Sequence, residues 1–96
     1  MSYNLDKRVE REIIGLAKEH GLQKVILYGS RARGTNNPRS DIDLAVRGGN
    51  VQDFYFDVEE KTWTLLFFDV VDLDRTLSPE FLAEIERDGV VLYEKV

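Results

Sequence analysis

The chain has 96 residues, no cysteine and one histidine, and its 13 basic against 18 acidic side chains give a formal net charge of −5. This length supports one hydrophobic core, so we expect a single domain over residues 1–96. The composition excludes a disulfide scaffold and a His-rich metal centre, and the acidic balance argues against a module that binds nucleic-acid duplexes. No apolar run reaches the ~20 residues of a membrane span, and residues 1–6 lack signal-peptide features, so we expect a cytoplasmic protein.

The first part of the chain predicts a helix, a strand and a loop. Residues 5–20 carry apolar side chains at helical spacing, and Gly21 follows as a typical helix end. The continuous apolar run 24–28 predicts a buried strand. Residues 31–33 can form the first turn of a short helix, and residues 34–40 have the composition of a loop.

The remaining chain predicts alternating strands and helices. Residues 41–46 predict a strand, and Asn50 is a helix cap before apolar residues at helical spacing. Residues 64–73 predict a third strand, Ser78-Pro79 opens a last helix that ends at Gly89, and residues 90–93 predict a closing strand. This order predicts an α/β or α+β fold with helices packed on a small sheet.

Two aromatic side chains have structural interpretations. We expect Tyr28 to lie in the core rather than to stack on a nucleobase. We expect Trp63 to pack where the helix after Asn50 meets the strand that follows it.

An Asp-x-Asp pair lies on the predicted strand 41–46. Side chains alternate along a strand, so Asp41 and Asp43 point to the same face. Two adjacent carboxylates raise each other's pKa unless a cation lies between them, and hard oxygen ligands on a rigid strand suit Mg²⁺. A solvated strand face carrying two acids is the alternative, and for a lone Asp-x-Asp it is the more frequent one.

The strand 24–28 breaks at Gly29-Ser30. Such a corner exposes backbone N–H groups and a hydroxyl, which can cradle a phosphate, although a plain turn has the same composition. Arg31, Arg33 and Arg39 can neutralise phosphate charge or simply solvate the loop. The segment is not the P-loop of NTPases, because no Gly-Lys-Ser/Thr follows at the required spacing.

A third acid, Asp69, lies inside the apolar run 65–71. A charge there is costly unless it is paired or liganded, so we expect a desolvated carboxylate. A strand adjacent to 41–46 would bring Asp69 to the Asp-x-Asp pair, whereas period two places Asp72 on the other face. Three carboxylates beside a phosphate-binding corner are typical of two-metal nucleotidyl transfer.

Residues 29–34 (GSRARG) and 40–46 (SDIDLAV) resemble the signature of the DNA polymerase beta-type nucleotidyltransferases. The small size and the segments 68–73 and 84–93 resemble the minimal branch of that superfamily, which includes antitoxins encoded beside HEPN-domain toxins. The resemblance implies a small mixed sheet with helices packed on it. It also implies nucleotide binding by Gly29 and Ser30, and catalysis and metal binding by Asp41, Asp43 and Asp69. The neighbouring Arg31, Arg33 and Ser40 complete the predicted nucleotide-binding residues.

The resemblance further implies a reaction and a partner. The minimal antitoxins are similar to adenylyltransferases that use two Mg²⁺ ions to move AMP from ATP onto a tyrosine of a HEPN ribonuclease toxin, which silences it. A subunit that masks the toxin by binding alone is the alternative, but it would need none of Ser30, Asp41, Asp43 and Asp69. Transfer to a small molecule is disfavoured because the chain has no room for a second domain.

Overall fold

The computed structural model describes residues 3–96, and these residues form four helices and four strands. In chain order the elements are α1 (Lys7–Glu19), β1 (Lys24–Tyr28), α2 (Gly29–Arg33), β2 (Ile42–Arg47), α3 (Val51–Lys61), β3 (Phe68–Asp72), α4 (Pro79–Asp88) and β4 (Val90–Glu94). The predicted order of helices and strands is confirmed.

The four strands form one mixed sheet in the order β3-β2-β1-β4. The central strand β1 pairs antiparallel with both β2 and β4, whereas β2 and β3 are parallel. A parallel pair needs a crossover connection, and α3 provides it. The small mixed sheet expected from the sequence is therefore confirmed.

Helices cover both faces of the sheet. The larger core lies between α1, α3 and one sheet face, where the alternate residues Val25, Leu27, Ile42, Leu44 and Val46 are buried. The opposite sheet face packs against α4 around Tyr28, Ala45 and Ile85. Tyr28 is buried and its ring meets Phe81 edge-on at 5.5 Å, so its predicted core position is confirmed. This division assigns every strand residue to one of two chemically different faces.

Local capping explains where the long helices begin. The Asp6 carboxylate accepts hydrogen bonds from the Arg8 and Val9 backbone N–H groups, so α1 begins at Lys7 rather than at residue 5. The side chains of Asn50 and Ser78 cap α3 and α4 in the same way, as predicted.

The third strand is shorter than predicted, and Trp63 is not packed in the interior. Strand β3 covers Phe68–Asp72 instead of residues 64–73, and Trp63 is 70% exposed. The reason is the length of the neighbouring strand. Ile42 begins β2 and donates its N–H to the Phe67 carbonyl, so residues 64–66 have no strand beside them to complete a ladder.

The longest helix of residues 3–96 is α1, and no helix in this range is long and apolar enough to cross a membrane.

Candidate active site

Two of the predicted catalytic acids face each other across neighbouring strands. Asp43 of β2 and Asp69 of β3 are direct partners in the parallel register. Strand alternation places both on the sheet face covered by α4, next to Ala45 and Val71. Asp41 precedes β2 by one residue and has the same parity as Asp43. The structure thus brings the three aspartates to one end of one sheet face.

The electrostatics of Asp43 show that these carboxylates converge. Burial and the negative charges of Asp69, Asp41 and Glu84 raise the pKa of Asp43 from 3.8 to about 6, while Arg33 opposes the rise. Burial also raises the pKa of the neighbouring Tyr28, and Asp69, Asp43 and Glu84 add to that rise. Like charges gathered on a half-buried surface favour binding of a cation.

Asp69 differs from its prediction in one respect. Its side chain is exposed, so the expected desolvation of this carboxylate is wrong. Within this apolar run Phe68 is buried and Leu66 and Val70 pack partly buried against the larger core, whereas Asp69 points to the other face of an edge strand. Asp72 lies on the α3 side opposite Val46, as expected, and its carboxylate accepts the Asp74 N–H at 2.9 Å.

Gly29 brings the start of α2 against the carboxylates. It has a φ of +74°, and a Cβ at this position would collide with Oδ2 of Asp43. Only glycine combines this backbone conformation with so close an approach. Ser30 follows in the first turn of α2, half-buried, so the predicted Gly-Ser corner lies directly beside Asp43.

The predicted phosphate-binding role of Arg31 does not fit its position. Arg31 is only 6% exposed, and its guanidinium donates to the carbonyls of Ser40 at 3.0 Å, Pro38 at 3.3 Å and Asn4 at 3.4 Å. A buried guanidinium must satisfy its donors within the protein, so this side chain holds the loop before Asp41 in place.

The other predicted nucleotide-binding side chains have different surroundings. Arg33 pairs with Glu84 at 3.7 Å and with Asp88 at 3.6 Å, and it lies near enough to lower the pKa of Asp43. The Ser40 hydroxyl accepts the Asn37 N–H at 3.1 Å. Arg33 therefore remains beside the acids, whereas Ser40 shapes the loop that leads to them.

The donor set at the aspartates fits a hard divalent cation. Carboxylate oxygens are the protein ligands that Mg²⁺ prefers, and the pKa of Asp43 is raised by burial and, after it, by the neighbouring carboxylates. A tighter group of possible metal ligands lies elsewhere in residues 3–96. It consists of Glu19, His20 and Asp57, whose ligand atoms all lie within 4.8 Å of one another. There the His20 ring contacts Asp57 at 2.7 Å and links the end of α1 to α3.

Comparison with known protein families identifies the family to which this fold belongs. The family model described as "Polymerase beta, Nucleotidyltransferase" matches residues 11–96, which include every residue discussed at the site except Asn4. The chain belongs to this nucleotidyltransferase family. No curated protein matches the chain.

Solved structures with the same nucleotidyltransferase fold include toxin–antitoxin complexes. A toxin–antitoxin structure with AMP-PNP is 26% identical, with a TM-score of 0.73 over 90% of this chain and 73% of that chain. A variant of the toxin–antitoxin pair MntA-HpeT with a tyrosine replaced by alanine is also 26% identical, with a TM-score of 0.72 over 96% and 75% of the two chains.

Two further structures extend this comparison. An MntA-HpeT variant with two aspartates, two positions apart, replaced by glutamate is 26% identical, with a TM-score of 0.67 over 90% and 73% of the two chains. A protein from Shewanella oneidensis is 17% identical, with a TM-score of 0.69 over 95% and 74%, and shares the fold.

Sequence reasoning about this nucleotidyltransferase missed the contribution of Glu84. This residue lies on α4, one position before the buried Ile85 and three after Phe81, and its charge reaches both Asp43 and Tyr28. The position of Glu84 at the border of the apolar face of α4 could have indicated from sequence that it lies close to the sheet. Only the packing of α4 on the sheet brings it near the aspartates.

Proposed function

We propose that this chain is a Mg²⁺-dependent nucleotidyltransferase that moves AMP from ATP onto a tyrosine of a HEPN ribonuclease toxin and thereby acts as its antitoxin in the cytoplasm. The observation that carries the proposal is the register of β2 and β3, which sets Asp69 opposite Asp43 with Asp41 close by. A site with three carboxylates on one rigid face suits phosphoryl chemistry.

The aspartates and the Gly-Ser corner have complementary roles in this proposal. Asp41, Asp43 and Asp69 would hold two Mg²⁺ ions, which when bound offset the charge of the ATP phosphates. Gly29 and Ser30 would bind phosphate oxygens through backbone N–H groups and the serine hydroxyl, because they adjoin Asp43.

Asp69 is the best-placed proton acceptor. Its carboxylate is exposed at the edge strand, where a hydroxyl of another protein can reach it, whereas Asp43 is half-buried. The tyrosine oxygen attacks the α-phosphorus of ATP and the bond to the β-phosphate oxygen breaks. Asp69 takes the phenolic proton, and pyrophosphate leaves.

The similar structures support the choice of nucleotide and partner. One is a toxin–antitoxin structure with AMP-PNP, an ATP analogue. Variants of the MntA-HpeT pair replace two aspartates spaced as Asp41 and Asp43 are, and one tyrosine. These resemblances favour an adenine nucleotide and a toxin as the two substrates.

A direct assay tests the proposal. The purified chain is mixed with a purified HEPN-domain ribonuclease, MgCl₂ and ATP labelled at the α-phosphate. We expect label on the HEPN protein, loss of its ribonuclease activity, and neither effect with Asp43→Asn. Asp72→Asn, which lies on the other face of the sheet, is the matched control. Toxin inhibition without transferred label would favour the alternative, a subunit that neutralises by binding alone.

A further inference from the structure

The connection between α3 and β3 displays large apolar side chains to solvent. In the segment 63–67, here called the apolar loop, Leu65 is fully exposed at 100%, Phe67 is 72% exposed and Trp63 is 70% exposed. Leu65 lines two neighbouring grooves, one with Trp63 and one with Leu66, Phe67 and Arg39. The three exposed side chains therefore belong to one continuous surface, and clustered exposure of this kind marks interaction sites.

Hydrogen bonds hold the apolar loop in this exposed conformation. The Trp63 backbone N–H donates to the Glu12 carboxylate at 2.7 Å, and the Arg8 guanidinium lies 4.4 Å from the centre of the Trp63 ring. The Leu66 N–H donates to the Thr64 hydroxyl at 3.1 Å. Because its backbone is already bonded, the loop offers its aromatic anchors to a partner at little entropic cost.

The apolar loop leads directly to the catalytic carboxylates. The Phe67 carbonyl accepts the Ile42 N–H at 2.9 Å, and Ile42 lies between Asp41 and Asp43 in the chain. Arg39, which lines the groove that Phe67 also lines, precedes Asp41 by two residues. A macromolecule seated on the apolar loop would therefore border the site of transfer.

We propose that the apolar loop is the docking surface for the acceptor protein, which contacts it through an apolar patch beside its modified tyrosine. This inference rests on the proposed function, since the acceptor is the toxin named there. A second copy of this chain is a poorer occupant, because a dimer formed through this loop would crowd the route by which an acceptor hydroxyl reaches Asp69. The docked acceptor covers Trp63, Leu65 and Phe67, and Arg39 faces an acidic group on it.

Charge substitutions on the loop test the proposal. Leu65→Asp and Phe67→Asp place a carboxylate in the contact, and Val91→Asp is the matched control. Val91 is 49% exposed on β4, at the opposite edge of the sheet. Affinity for the purified HEPN-domain protein is measured by biolayer interferometry. Binding of Mn²⁺ with ATP to the chain alone is measured by calorimetry, and its sedimentation gives the oligomeric state.

We expect both loop variants to bind the HEPN protein at least about tenfold more weakly than Val91→Asp, because exposed anchors of this type dominate interface affinity. Binding of Mn²⁺ and ATP to the Leu65→Asp variant should be unchanged. Equal affinities for loop and control variants overturn the docking proposal, as does a wild-type dimer that Leu65→Asp converts to monomers. A wild-type chain that does not bind ATP but binds the HEPN protein through the loop would contradict the proposed catalysis. The docking surface would still be supported.

Discussion

Asp43 on β2 and Asp69 on β3 are paired residues of a parallel ladder, so their carboxylates project from the same sheet face at the same level. Such a like-charge pair destabilises a sheet unless something offsets it. In this protein the pKa of Asp43 is raised to about 6, first by burial and then by the negative charges of Asp69 and Asp41. The pairing is therefore better explained by a cation-dependent function than by folding.

The pKa of Asp43 predicts a specific dependence of stability on pH. Between its ordinary value of 3.8 and its folded-state value of about 6, the folded chain keeps a proton that the unfolded chain has released. The contribution of this group to stability therefore falls as pH rises through that window and stays low above it. We expect Asp43→Asn to raise the melting temperature relative to wild type at neutral pH.

The gain in melting temperature of Asp43→Asn should be modest, because solvent screens a half-buried charge. The gain should vanish near pH 4. Calorimetric melting of wild type and Asp43→Asn without metal, across the acidic pH range, measures the difference in melting temperature. Taking this difference isolates Asp43 from the other titrating groups. A difference that is constant with pH would contradict the assigned pKa.

Metal and nucleotide should bind together. We expect Mn²⁺ or Mg²⁺ to bind far more tightly with ATP present, because the phosphates complete the coordination of the metal. Isothermal titration calorimetry in the presence and absence of EDTA measures this coupling. ATP affinity that is insensitive to the chelator would rule out metal-mediated binding. The double variant Asp41→Asn/Asp43→Asn should fold and lose the coupling.

The two faces of β3 predict different effects for two similar substitutions. Asp69→Asn should reduce AMP transfer by roughly 10²–10⁴-fold, as expected for loss of a general base. Asp72→Asn should retain most activity, because Asp72 lies on the α3 side and is engaged with the Asp74 N–H. Single-turnover assays with labelled ATP compare the two. The reverse order of effects would mean that Asp72 is the third catalytic acid.

Arginine substitutions should separate structure from ligand binding. Arg31→Ala removes three hydrogen bonds to backbone carbonyls from a buried position, so we expect a loss of at least about 2 kcal/mol of stability. Arg31→Lys should not restore it, because an ammonium cannot reproduce the guanidinium fork. Arg39→Ala, at an exposed position, should leave stability within about 0.5 kcal/mol. Urea unfolding measures all three, and an unaffected Arg31→Ala variant would show that its hydrogen bonds are dispensable.

Unlike Arg31→Ala, Ser30→Ala should affect ligand binding rather than stability. The hydroxyl is proposed to bind phosphate, so ATP affinity should fall while the melting temperature changes little. Titration calorimetry and thermal melting of the same preparation give both quantities. A melting shift without a change in ATP affinity would assign Ser30 a structural role.

The elements that could be predicted from sequence are those governed by local patterns. Helical spacing and the caps Asn50 and Ser78 predicted α3 and α4, and the apolar run 24–28 predicted β1. The start of β3 could not be predicted in this way. Residues 64–67 have the composition of a strand, but β2 begins at Ile42 and leaves most of them without a ladder partner.

The sequence by itself determined the candidate site residues, which are the Gly-Ser corner, the Asp-x-Asp pair and one acid in an apolar run, together with the resemblance they bear to a nucleotidyltransferase signature. These features depend on residue type and short spacing, which a chain carries before it folds. Tertiary structure alone decided that Asp69 is exposed opposite Asp43 and that the Arg31 side chain is buried against the loop before Asp41. It also decided that Glu84 of α4 lies near Asp43. Each of these depends on strand order, edge position or helix packing, and such contacts join residues far apart in the chain.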